Sequence, residues 1–166
     1  MERRRIWIAG QRSQALIEFA FVAPLVLIFL LAVVDFGIAI DRRVVLQHAV
    51  REGVRYAAVG GEALTTGVPA TEAEIRAHTA GQSQGISDED GAPGSANYIE
   101  VCYEDSNGNG SLGDVGDSVR VRIHYRHDFV TGFTAFYDTS LASIDMDPSA
   151  SARVEQPVEG APTACA

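Results

Sequence analysis

The chain has 166 residues, two cysteines and a net charge of −9, enough for one small domain beside a long apolar run. Residues 1–59 carry eight Arg against five acids, whereas residues 60–166 carry five Arg against seventeen acids. A basic stem is thus followed by an acidic body, and a body without a basic footprint excludes nucleic acid as its partner.

Residues 1–13, MERRRIWIAGQRS, read as a short cytoplasmic leader with Arg3, Arg4, Arg5 and Arg12. Basic residues ahead of a span favour retention of that end in the cytoplasm, although Arg42, Arg43, Arg51 and Arg55 beyond the span weaken the bias. Residues 14–34, QALIEFAFVAPLVLIFLLAVV, are apolar almost throughout, and about 20 such residues cross a bilayer. The exception is Glu18. A secretory signal has a shorter core of about 7–15 residues and no acid within it. A twin-arginine signal needs more than the bare RRR, and a plain anchor leaves Glu18 unexplained. An ionisable side chain at membrane depth costs several kcal/mol unless it is paired, so it marks function by default. The plain alternative is a Glu that snorkels to the interface.

The segment RSQALIEFAFVAPLVLIFLLAVVDFG, followed by LQHAVREGVRYAAV, resembles the N-terminal region of TadE-like pilus-assembly proteins. These are minor pilins or pseudopilins of tight-adherence (Flp, type IVb) pili. The resemblance covers about residues 12–59 and implies cleavage by a prepilin peptidase at the cytoplasmic edge of the membrane. The scissile bond is then Ser13–Gln14, Glu18 is the pilin glutamate and Phe19 the aromatic that follows it. Ser13 departs from the family pattern, in which Gly is usual. Cleavage there frees an amine four residues from Glu18. An ammonium and a carboxylate held together in an apolar medium cost far less than either alone. The implied partners are other pilins, the tight-adherence assembly machinery, the prepilin peptidase and the membrane.

Continuing along the chain, residues 14–59 are expected to form one transmembrane and amphipathic helix, about 65 Å long. Pro24 removes a backbone bond to Ala20 and predicts a local kink. Asp35-Phe36-Gly37 matches a kinase tripeptide, but no glycine loop or catalytic loop accompanies it. Asp35 is expected to mark where the span meets water. Beyond it, Leu46, Val50, Val54 and Ala58 recur every four residues, joined by Ala49, Gly53 and Ala57, opposite Gln47, His48, Arg51, Glu52 and Arg55. We expect Leu46, Val50, Arg51, Val54 and Arg55, with Glu18, to contact a neighbouring subunit. The competing reading is that the stripe covers the chain's own sheet. Arg51 and Arg55 repel mildly at this spacing and predict an acidic partner in the body or on a neighbour. Gly60-Gly61 ends the helix.

Residues 60–96 read as a loop region with a short helix over 71–80, capped by Thr71 with Glu72 and Glu74 in its first turn. His78 is expected to be solvated or to face the helix dipole, and 87–96 to form a mobile surface loop. Residues 97–156 switch to period 2. In 98–104, Ile99, Val101 and Tyr103 share one face; in 118–126, Val119, Val121, Ile123 and Tyr125 do. The polar faces carry Glu100 and Glu104 on the first and Arg120, Arg122 and Arg126 on the second, which predicts antiparallel pairing with cross-strand ion pairs. A third strand over 144–154 is interrupted by Pro148, as suits an edge or a bulge. His124 and His127 lie three apart, on opposite faces of a strand, and fail as a ligand pair.

Between the first two strands, Asp105, Asn107, Asn109 and Gly110 match the opening of a calcium loop. The twelfth position is Gly116 rather than a bidentate Glu, with Asp114 or Asp117 as substitutes. An Asn-Gly-rich turn explains the same residues without Ca²⁺, and this is the favoured reading. Cys102 and Cys165 form no metal spacing. They are either two free thiols or a bridge pinning the tail, 157–166, to the sheet, which requires a body outside the cytoplasm.

The expected fold is α+β and pilin-like: a long N-terminal helix packed on a small antiparallel sheet. The expected function is assembly in a tight-adherence pilus, from a single-pass position in the bacterial inner membrane with the head outside the cytoplasm. The alternative is a membrane-anchored calcium-binding or adhesive module that enters no filament. An anchored hydrolase is weakest, since no nucleophile, His and acid share a supporting spacing.

Overall fold

A computed structural model of the chain describes residues 4–61, 67–84, 97–132 and 142–165, with side chains from residue 14 onward. The elements in order are α1 (Arg4–Ala58), α2 (Glu72–Ser83), β1 (Tyr98–Glu104), β2 (Ser118–Asp128), β3 (Ser143–Met146) and β4 (Ser149–Arg153). The fold is α+β, as expected. Two compact units are distinguished: Met1–Ile38 with Phe129–Ala142, and Ala39–Asp128 with Ser143–Ala166.

The first unit holds the apolar part of α1. The helix begins at Arg4, inside the segment read as a leader, and contains Pro24. Its surface from residue 16 to 34 is dominated by exposed Leu, Ile, Val and Phe side chains. A helix so long and apolar suffices to cross a membrane once.

The second unit, the head, is built on β2. This strand pairs antiparallel with β1 on one side and with both β3 and β4 on the other. The expected third strand is therefore two short ones in a single register, broken at Asp147-Pro148, because Pro148 has no N–H to donate. Its carbonyl still accepts from Ile123 N, at 3.0 Å. Period-2 patterning puts Val101 and Tyr103 of β1 and Val119, Val121 and Ile123 of β2 in the core. Residues Leu46, Ala49, Val50, Val54 and Ala57 of α1 and Ile75 and Thr79 of α2 are buried with them. On the outer face Glu100 lies directly opposite Arg122, and the pair is joined by Glu104–Arg120 and Arg126–Asp145.

Local chemistry sets the helix ends. Gly60 and Gly61 both take positive φ, and their N–H groups return to the carbonyls of Ala57 and Tyr56. Thr71 caps α2 in a reciprocal box with Glu74. α1 and α2 approach closely at Gly53, where a Cβ would lie 2.1 Å from Thr79 Oγ1. His78 stacks on Tyr56 with ring centroids 4.1 Å apart rather than standing in solvent.

Candidate functional site

The residues implied in processing and pairing lie on α1 within the first unit. Gln14, Glu18 and Phe19 are all exposed, among exposed Leu16, Ile17, Phe21 and Val22. Glu18 is thus a carboxylate on an apolar helix surface, and among the described residues it forms no ion pair. The backbone of Ser13 is helical, while its side chain is outside the described residues. What the surface offers is one acceptor in an otherwise greasy face, suited to a single cation from another molecule.

The stripe beyond the span behaves differently from the expectation of a subunit contact. Leu46, Val50 and Val54 are 0%, 1% and 6% exposed and belong to the core of the head. The small residues between them admit the chain's own α2, as the Gly53–Thr79 approach shows. An apolar stripe is best satisfied by the nearest apolar face, and here that face is intramolecular. Arg51 and Arg55 remain on the exposed side. Arg51 Nε donates to the carbonyl of Gln47, and neither guanidinium meets a carboxylate among the described residues.

The Asn-Gly loop closes through its own polar groups. Asp105 Oδ1 accepts from Gly108 N and Asn109 N, and its Oδ2 accepts from Gly110 N. Asn107 Oδ1 accepts from Asn109 N, and Asn109 Oδ1 from Ser111 N. Asn109 Nδ2 donates to Asp114 Oδ2, at 3.1 Å. Asp117 is buried and accepts from Asp114 N. These are turn contacts made by short polar side chains to nearby backbone. No group of three or more His, Cys, Asp or Glu is arranged to hold a metal among the described residues. His124 and His127 do not converge: His124 lies between Glu100 and Asp147, and His127 is buried.

Cys102 and Cys165 form a disulfide. The tail is also stitched to the outer edge of β1, with Tyr103 N donating to Thr163 O and Cys165 N to Tyr103 O. Thr163 binds the Glu72 carboxylate through both its N–H and its hydroxyl. Burial near the Glu72 carboxylate pushes the Tyr103 phenol well above its ordinary pKa, so it stays protonated.

Asp35, expected to meet water, is 1% exposed. Its Oδ1 accepts from Thr131 N at 3.1 Å, and its Oδ2 accepts from the Thr131 hydroxyl. The partner is 96 residues away, and no local pattern points to it.

Comparison with known families bears on the helix. Residues 14–55 match the family model described as TadE-like protein. Over this stem the chain is similar to TadE-like proteins. The match contains Glu18, Pro24, Asp35 and the Arg51–Arg55 pair, and it ends where the helix enters its last turn. No curated protein and no solved structure matches the chain. The likeness is to a family of structural, pilus-associated proteins and is confined to the stem.

Proposed function

We propose that this TadE-like protein is a minor pilin or pseudopilin that primes, caps or joins a tight-adherence pilus. It spans the inner membrane once, with residues 1–13 in the cytoplasm and the head outside. The prepilin peptidase cuts Ser13–Gln14, and the freed amine of one subunit pairs with Glu18 of its neighbour. Its partners are other pilins and the assembly machinery, met through the apolar surface of residues 15–34, with Arg51 and Arg55 available to an acidic patch.

The observation that carries this reading is Glu18, exposed on the TadE-like helix among apolar side chains. A lone carboxylate in hydrocarbon is costly, and a paired one is a specific docking point. The test is Glu18→Ala in the native host. The variant is expected in the membrane fraction at wild-type level, with loss of the protein from sheared pili and few or no pili on cells. Pili of normal number that contain the variant would sink the pairing. Mass spectrometry of the mature chain checks the cut independently, with an N-terminus at Gln14 expected.

A further inference from the structure

The loop joining β2 to β3 leaves the head at Phe129 and returns at Ala142, where Phe129 N donates to Ala142 O at 2.9 Å. Its base belongs to the same unit as the apolar part of α1. Thr131 binds the Asp35 carboxylate through both its N–H and its hydroxyl, and the Phe129 ring lies 6.0 Å from that of Phe36. Between these two anchored residues, Val130 is 71% exposed, and Phe36 beside them is 58% exposed.

The depth of this cluster follows from helix geometry. Asp35 lies 21 residues after Gln14, about 32 Å along the axis at 1.5 Å per residue. The hydrocarbon core is about 30 Å thick, so Asp35 falls at its boundary with the headgroups. The apolar surface continues past that level through exposed Phe36 and Ile38. A carboxylate facing acyl chains there would be costly, and Thr131 removes it from them. At that level Phe129 lies beside Phe36, and Val130 stands exposed next to it.

We propose that residues 129–132 form a second membrane contact, with Val130 and Phe129 lying beside Phe36 in the headgroup layer of the bilayer that α1 crosses. The occupant of this surface is phospholipid, because the patch is continuous with the lipid-facing surface of the span. Asp35 and Thr131 are the positioning pair, fixing the depth of the loop base. The proposal rests on α1 spanning the membrane and is independent of whether the protein enters a filament.

The test uses the full chain in phosphatidylethanolamine–phosphatidylglycerol vesicles. Trp7 is the single tryptophan, so Trp7→Phe gives a silent background. Val130→Trp and, separately, Val26→Trp then report the loop and the span. Emission at residue 130 is expected to fall roughly twofold or more with lipids brominated near the head of the acyl chain, and to resist aqueous iodide. Thr131→Val is expected to raise iodide access at residue 130, and Thr131→Ser to restore protection. Full iodide access at residue 130, while Val26→Trp is quenched by lipid, overturns the inference alone. Lack of lipid quenching at both positions overturns the membrane-spanning reading with it. Protection that ignores brominated lipid but vanishes on dilution of protein in the bilayer assigns the patch to a second copy and overturns the lipid contact.

Discussion

At the scale of single residues, Asp105 shows how the same side chains serve two chemistries. A calcium loop presents oxygens inward, to a cation, whereas in this loop three backbone N–H groups already point at the Asp105 carboxylate. Each such bond contributes about 0.5–1.5 kcal/mol net, and exposure keeps the sum at the lower end. Asp105→Ala is therefore expected to cost roughly 1–2 kcal/mol in denaturant unfolding of the detergent-solubilised chain, and Asp105→Asn roughly half of that. Chelation of calcium is expected to leave the wild-type midpoint where it was. A midpoint that drops on chelation and recovers with added Ca²⁺ would show instead that the oxygens serve a metal. The motif itself was plain in the sequence. The acceptor geometry was not, because an Asx turn and a calcium loop use the same D-x-N-x-N-G spacing.

Elements were legible where local rules decide them. The cap at Thr71, the glycine stop at Gly60-Gly61 and the alternating faces of β1 and β2 each follow from residues within a few positions of one another. The cap also makes a pH prediction. Hydrogen bonds from the Thr71 backbone and hydroxyl hold the Glu74 carboxyl below its ordinary pKa. A depressed folded-state pKa means that the added stability is full above the unfolded value and is lost as pH falls through the folded one. Glu74→Gln keeps the shape and removes the charge. Its melting temperature is expected to sit below wild type at neutral pH and to converge with it as the pH falls below about 4, the range in which unfolded glutamate protonates. A constant gap across that range would assign the effect to packing. Asp145, held down by the hydrogen bond from Arg126, titrates in the same direction but is common to both proteins and cancels in the comparison. Two elements resisted a sequence reading because their partners are remote. The stripe of Leu46, Val50 and Val54 fits a neighbour or the chain's own core equally well by period, and only burial decides for the core. The clasp of Asp35 by Thr131 depends on a loop that enters from far along the chain.

For the molecule as a whole, covalent chemistry supplies a test of the proposed topology. The chain's two cysteines, both in the acidic body, are joined to each other. The bond closes a loop of 63 residues, for which the chain-entropy account gives about 4 kcal/mol of stabilisation. Such a bond persists in an oxidising compartment and is reduced in the cytoplasm. A head outside the cytoplasm therefore predicts that protein taken from native membranes reacts with no thiol reagent until it is reduced. Cys165→Ser is expected to lower head stability by roughly 2–4 kcal/mol. It is also expected to speed hydrogen exchange at the Tyr103 amide, whose acceptor is Thr163 in the tail. Glu72 still holds Thr163 in that variant, so exchange should accelerate without reaching the rate of an open chain. Thiols that label freely in intact membranes, with a head as stable as before, would place the head on the cytoplasmic side. That outcome would overturn the proposed orientation, and the proposed pilin role with it.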